Sequence, residues 1–261
     1  MGSIAVTGSA SGMGAATVRR LRAAGHDVIG VDVGQADVVA DLGTGAGRAD
    51  AVQAITSWCG GELGGVVTCA GLGPLPGRSG GSVVSVNYFG TVVLLERLRP
   101  LLEASGSAAA VAIASNAATT TRGLPQEAVA SCLAGDEDEA RRVAEPLGGM
   151  AAYPATKLAV GRWVRRNAPT SAWIGSGIRL NAIAPGLIET AMLDEGRADP
   201  VMGPFLERFR VPAGRPGTAD EIAATVEFLL GPGAAFVCGT IVYVDGGTDA
   251  LVRGEDWPAA L

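Results

Sequence analysis

Tyr153 and Lys157 stand four residues apart in Tyr153-Pro154-Ala155-Thr156-Lys157, a spacing that places a phenol and an ammonium on one face of a helix. A free tyrosine titrates near pH 10, so action as a base near neutrality requires a shift of about three units, roughly 4 kcal/mol. One ammonium about 4 Å away, in an effective dielectric near 20, supplies roughly that amount. The pair is therefore sufficient to make Tyr153 a general base for alcohol oxidation and a general acid for carbonyl reduction. Pro154 fits if the helix begins close by, because a proline in the first turn forfeits no intrahelical bond.

A second constellation opens the chain. Thr7-Gly8-Ser9-Ala10-Ser11-Gly12-Met13-Gly14 follows the apolar run Ile4-Ala5-Val6 and precedes the helical pattern Ala15-Ala16-Thr17-Val18 through Leu21. Strand, glycine-rich turn and helix in that order aim backbone amides at a phosphate, which makes Gly8, Ser11, Gly12, Met13 and Gly14 candidates for holding a dinucleotide. Asp32 comes 18 residues after Gly14, at the end of Val28-Ile29-Gly30-Val31. A carboxylate there accepts hydrogen bonds from an adenosine ribose and repels a 2′-phosphate. Val33 follows it, and Ser9-Ala10-Ser11 carry no cation, so the expected cofactor is NAD over NADP. The positive ring of NAD⁺ would add to the pull of Lys157 on the Tyr153 phenol.

The elements that must position these groups alternate. Apolar runs at 3–7, 28–32, 64–69, 108–115, 178–184 and 236–244 read as buried strands, with helical stretches near 14–24, 45–59, 82–103, 150–168 and 218–230. Such alternation predicts an α/β fold, a single doubly wound Rossmann domain over 1–261 with a mostly parallel sheet of about seven strands. Ligands of such sheets lie beyond the carboxyl ends of the strands, which singles out Thr7, Asp32, Cys69-Ala70-Gly71, Ser115 and Ala184-Pro185-Gly186. Residues 119–149 interrupt the alternation before the Tyr153 helix. Their charged run Asp136–Arg142 reads as a helix with a solvated face. Residues 187–216 carry Met192, Leu193, Met202, Phe205, Leu206 and Phe209, which suit either ordinary core or a lid over an apolar substrate, with Met192 and Phe205 as the substrate contacts.

The chain of 261 residues, 48% hydrophobic, is long enough to bury one substantial core. A net charge of −6 argues against nucleic acid, whose backbone needs clustered cations. No apolar stretch reaches membrane-spanning length, and the first strand begins too early for a basic leader. Cys59, Cys69, Cys132 and Cys238 form no close pair, so a reduced cytoplasmic setting is expected over a disulfide framework. His26 is the only histidine, which argues against a histidine-based metal site, and no metal is expected. Gly77-Arg78-Ser79-Gly80-Gly81 has the spelling of a serine-hydrolase elbow, but it lies in a Gly/Pro-rich loop, and His26 sits at the wrong end of the sheet for a triad.

Thr7–Gly14, Cys69-Ala70-Gly71, Asn87, Ser115, the Tyr153/Lys157 pair and Pro185-Gly186 through Thr190 occur in the order seen in the short-chain dehydrogenase/reductase family, which nearly the whole chain resembles. The resemblance implies that Tyr153 donates or accepts the proton and that Lys157 lowers its pKa and binds the nicotinamide ribose. It implies that Ser115 holds the substrate oxygen and that Asn87 holds a water in the proton relay. It further places Asp41 and Leu42 near the adenine, Cys69, Ala70, Gly71, Pro185 and Gly186 along the cofactor, and Ile188 and Thr190 at the carboxamide. Cys69 departs from the usual asparagine and Ala114 from the usual first serine of a pair, and neither change removes a catalytic group.

Ala40-Asp41-Leu42, Cys69 through Pro74, Val84 through Gly90, Ile183 through Gly186 and Val244-Asp245-Gly246-Gly247 resemble more narrowly the bacterial 3α-hydroxysteroid dehydrogenase/carbonyl reductase subgroup. That subgroup has a similar insertion in the 38-residue gap between Ser115 and Tyr153, against about a dozen residues in most of the family. The insertion would cover the helix faces that most members use to form tetramers, so a homodimer through another face is expected. The implied activity is NAD-dependent interconversion of a secondary alcohol and ketone on a small apolar molecule such as a hydroxysteroid. An aryl or allylic alcohol of the coniferyl type is the alternative substrate, and a non-catalytic NAD(H)-binding regulator the alternative class.

Overall fold

The computed structural model describes residues 2–256. Its main sheet takes β1 (Ser3–Thr7), β2 (Asp27–Asp32), β3 (Val38–Val39), β4 (Gly65–Thr68), β5 (Ala108–Ile113) and β6 (Ile178–Pro185). Two short strands, β7 (Ile188–Glu189) and β8 (Gly217–Thr218), pair with each other, and β9 (Ile241–Val244) completes the main sheet. The order across the seven strands is β3-β2-β1-β4-β5-β6-β9, all parallel. The chain runs outward from β1 to β3 and then jumps to β4 on the other side of β1. That reversal opens a crevice at the carboxyl ends of β1 and β4.

Among the described residues twelve α-helices connect and cover the strands: α1 (Gly12–Ala23), α2 (Gly45–Trp58), α3 (Gly80–Val84), α4 (Gly90–Ala104), α5 (Ala117–Thr120), α6 (Gln126–Ala134), α7 (Glu137–Ala144), α8 (Gly148–Asn167), α9 (Ala191–Ala198), α10 (Met202–Arg208), α11 (Ala219–Leu230) and α12 (Thr248–Val252). On one face Val18 and Leu21 of α1 pack with Ile222, Val226 and Leu229 of α11 against Val6, Val67, Val111 and Ile183. On the other, Ile55 of α2, Leu94 and Leu98 of α4 and Val160 and Val164 of α8 pack against Ala5, Val66, Ala110 and Ala182. Burial on both faces explains why these strands read as unbroken apolar runs without alternation.

Register brings the working positions level. Thr7 pairs with Val31 and with Thr68, Thr68 with Ala112, and Ile113 with Ile183. The residues just beyond, Gly8, Asp32, Cys69 and Ser115, therefore share one rim.

Four boundaries differ from expectation. The last strand begins at Ile241, not 236, because Gly239 turns the chain at φ +72° and the Asn181 side chain captures Val237 and Thr240 there. The seventh strand is the two-residue β3, too short to show a pattern. The helix expected over 82–103 is α3 and α4 joined by a π-helical turn, Ser85–Phe89. Pro154 lies in the second turn of α8, not the first, because the insertion feeds into that helix six residues earlier, at Gly148.

The insertion itself forms α6 and α7. Ala140 and Ala144 are buried beneath α7, and Asp136 caps it by accepting from the Glu139 amide. Its charged run is more than a solvated face: Glu137 pairs with buried Arg48 of α2, and Arg141 donates to the Ser85 hydroxyl at 2.6 Å. No helix of the described residues is long and apolar enough to cross a membrane.

Candidate active site

Four side chains named by the sequence meet beyond β4 and β5. Ser115 follows β5 and is buried; its oxygen accepts from the Ala117 amide at 3.1 Å, which leaves the hydroxyl proton free to be donated. Tyr153 projects from α8, half-buried, with its phenol in hydrogen-bonding reach of Ser115. Lys157, one turn on, is 5% exposed, donates to the Ile113 carbonyl at 2.8 Å and lies 5.8 Å from the centre of the Tyr153 ring. Asn87, in the π-helical turn, accepts from the Leu72 amide at 2.7 Å and donates to the Leu72 carbonyl at 3.0 Å. A Cβ at Gly71 would stand 3.3 Å from Asn87 Oδ1 and 3.7 Å from Lys157 Nζ, so the Cys69-Ala70-Gly71 strand end lies between those two side chains.

The electrostatics differ from expectation in one respect. Burial pushes the Tyr153 phenol above its ordinary value, and the Ser115 hydrogen bond only partly opposes this. Lys157 is pinned to a backbone carbonyl below the ring, and burial brings its own ammonium down to about 8. Lys157 therefore does not depress Tyr153 in the ligand-free protein, and the phenol is held as a proton donor at neutral pH. Cys69, where an asparagine was the usual residue, is likewise pushed up by burial, to about 12, and is not a thiolate at neutral pH.

The glycine-rich turn is built as the motif requires. Gly8 has φ +67°, and a Cβ there would meet the Ala70 amide at 2.7 Å; one at Gly14 would meet the Gly8 carbonyl oxygen at 2.0 Å. Ser11 precedes α1 in an extended conformation, its side chain caps no amide, and the first turn holds no acid. Met13 packs from α1 against the core. Asp32 accepts from the Ala10 amide at 3.0 Å and from Gly34 at 3.1 Å, which leaves about two of its roughly four lone-pair positions for ligand hydroxyls.

Asp41 is exposed beside the end of β2, where Ala40 bonds Asp32, and Leu42 is buried beneath it. Pro185 ends β6, Gly186 bonds Val244, Ile188 is buried, and the Thr190 methyl lies 3.3 Å from where a Gly12 Cβ would be. These residues suit a dinucleotide diphosphate on uncapped amides and an unphosphorylated ribose on Asp32.

Of the two lid contacts, Met192 joins the site, its side chain lying over Gly73 in the loop after β4. Phe205 does not join it; it is exposed on α10 with Phe209 as its ring partner at 6.0 Å. A cavity of about 80 Å³ behind Ser115 and Lys157 is too small for a ring system. Another, of about 820 Å³, is lined within 187–216 by Leu206, Phe209 and Val211 and from α12 by Leu251, and carries none of the four chemical side chains. Ser79, of the hydrolase-like spelling, caps α3 by accepting from Ser82 and donates to Glu145 at 2.7 Å, so it is engaged in structure. Among the described residues no cluster of three or more His, Cys, Asp or Glu is arranged to hold a metal ion.

Sequence reasoning missed a network behind Ser115. Asn116 donates to Asp245 at 3.2 Å, Asp245 accepts from the Asp249 amide at 2.6 Å, and Asp249 is engaged by Thr119 and Arg253. It ties the Ser115 loop to the Val244-Asp245-Gly246-Gly247 ending, the one signal that could have pointed to it.

Residues 138–249 match the enoyl-(acyl carrier protein) reductase family. The chain is 40% identical, over 257 residues, to the 3-alpha-hydroxysteroid dehydrogenase/carbonyl reductase of Comamonas testosteroni, covering 97% of this chain and 98% of that one. It is 31% identical to the coniferyl-alcohol dehydrogenase of Pseudomonas sp. strain HR199, covering 94% and 95%. Among solved structures it superposes on the 3-alpha-hydroxysteroid dehydrogenase of Pseudomonas sp. B-0831 in complex with NADH, with a TM-score of 0.92, 47% identity, and coverage of 97% and 99%.

Proposed function

The chain belongs to the short-chain dehydrogenase/reductase family, and on that premise we propose that it interconverts a secondary alcohol and a ketone with NAD, acting on a hydroxysteroid. The observation that carries this reading is the meeting of Ser115, Tyr153 and Lys157 at one strand end, in a chain alike throughout its length to a 3-alpha-hydroxysteroid dehydrogenase/carbonyl reductase. The coniferyl-type alternative is favoured less, since that relative is 31% identical against 40%.

The nicotinamide, when bound, supplies or accepts the hydride at the substrate carbon. Tyr153 Oη gives its proton to the carbonyl oxygen during reduction and recovers one from the alcohol in the reverse direction. Ser115 donates its hydroxyl proton to the same oxygen, fixing it against the phenol. Lys157, anchored on Ile113, sets a positive charge below the ring that stabilises the phenolate as it forms. Asn87 clamps Leu72 and so keeps Gly71 beside Lys157, a positioning role that stands next to the water-holding role the resemblance implies. Asp32 selects NAD by accepting ribose hydroxyls and repelling a 2′-phosphate.

In this reading the whole chain is one catalytic domain, with 119–149 as a brace and 187–216 as a substrate lid that carries Met192. It works as a homodimer in the cytoplasm. Free thiols at Cys59, Cys69, Cys132 and Cys238 suit a reducing compartment. The packing of α6 and α7 on α8 and α3 occupies the face that tetramers would need. The test is NADH absorbance with 3-, 7- and 17-hydroxysteroids and with aryl alcohols. Turnover of hydroxysteroids at higher kcat/KM than aryl alcohols is expected; the reverse order would move the assignment to the aryl class, and NADH binding without any turnover would support a regulator.

A further inference from the structure

Arg78 lies in the loop between β4 and α3, and none of the assigned functions uses it. Its side chain is only 22% exposed, and it touches three separate pieces of the site. One guanidinium nitrogen donates to the Gly73 carbonyl at 2.9 Å. Another pairs with Glu195 of the lid helix α9 at 3.1 Å. Its own carbonyl accepts from the Gly149 amide, at the start of the Tyr153 helix, at 2.7 Å. Met192, one turn before Glu195, packs over Gly73 beside it.

The lid helix thus runs from the glycine-rich turn, where Thr190 meets Gly12, to the loop after β4, where Glu195 meets Arg78. Between those ends lie the strand end 69–71 and the groups that do the chemistry. Arg197 of α9 bonds Glu189 and Asp194, both within 187–216, and so braces the lid internally. Among the described residues Arg78–Glu195 is the ion pair that crosses from α9 to the body of the protein.

We propose that Arg78 and Glu195 form a latch that holds α9 down over the site, and that breaking this pair sets how fast bound dinucleotide and product escape. This rests on the lid reading of 187–216. Arg78 is a positioning residue: it aligns Gly73 and the start of α8 while it grips the lid. The pair is partly exposed, so it opens readily and responds to salt.

The test is stopped-flow displacement of NADH from wild type and Glu195→Gln, with hydrogen exchange of residues 191–198 in the ligand-free protein. Glu195 is exposed, so that substitution leaves the fold intact; Arg78→Met is the companion variant. Expected is roughly three- to tenfold faster NADH release in Glu195→Gln at low ionic strength, and faster exchange in 191–198 with none in α11. KM for the alcohol should rise while kcat holds or increases. At 0.5 M salt, where the screening length falls to about 4 Å, wild type should approach the variant while the variant barely changes. Equal release rates with equal salt responses, or unchanged exchange in 191–198, would overturn the latch. Only KM and kcat use the alcohol; NADH release and hydrogen exchange do not, so failure of the steroid assignment would be seen separately.

Discussion

At the scale of single residues, burial is what separates the roles of Tyr153 and Lys157. Lys157 is brought down to about 8 from 10.5 because its charge is desolvated, so between those values the unfolded chain binds the proton that the folded chain has lost. Stability from this group must therefore rise with pH from about 8 to 10.5, and below pH 8 the buried charge costs about 3 kcal/mol. Relative to Lys157→Met, wild type should gain stability across that window in chemical denaturation; a constant difference would show that the ammonium is not desolvated. Asp32 makes the second prediction at this scale. Replacing Asp32 with Ala removes the repulsion of a 2′-phosphate and should reduce the preference for NAD over NADP by about tenfold, equivalent to 1.4 kcal/mol. An unchanged ratio of kcat/KM values would remove Asp32 from cofactor selection. Both residues could be singled out in the sequence, Asp32 by its distance from the glycine-rich turn and Lys157 by its pairing with Tyr153 among motifs in the family's order. The upward push on the Tyr153 phenol was not, because it depends on how much protein surrounds the ring.

At the scale of elements, the insertion is a brace as much as a cover. Arg48 is buried with its guanidinium shared between the Leu42 carbonyl and Glu137, so α7 is fastened to the loop that carries Asp41 and Leu42. Glu137→Gln would leave that cation buried without its countercharge and should cost about 3 kcal/mol, measured by urea unfolding. A loss below about 0.5 kcal/mol would mean the pair is solvated. Strand ends and the glycine turn were legible because long apolar runs and punctuating glycines leave a local trace. The π-helical turn at Asn87 leaves none, since it arises where α3 and α4 join in register with the loop at Leu72. Arg48 and Glu137 are 89 residues apart, and Arg78 and Glu195 117, so no local pattern relates them. Pro154, which fits a helix beginning close by, is carried in the second turn of α8 because that helix takes its first residues from the insertion at Gly148.

At the scale of the whole molecule, sheet order explains why distant motifs become one site. Strand order places Gly8, Cys69 and Ser115 on neighbouring strand ends, and α8 crosses behind them with Tyr153 and Lys157. With α6 laid over α8 and α7 over α3, sedimentation equilibrium should give the mass of two chains; a four-chain mass would contradict the dimer. The central claim is that the phenol of Tyr153, beside Ser115 and with Lys157 across its ring, carries the proton of a hydride transfer. Its most direct test is kcat for oxidation of a 3α-hydroxysteroid by wild type and Tyr153→Phe, with NADH affinity measured on both. The account predicts a loss of at least about a thousandfold in kcat with NADH affinity kept within about threefold. Turnover within tenfold of wild type in the variant would contradict it.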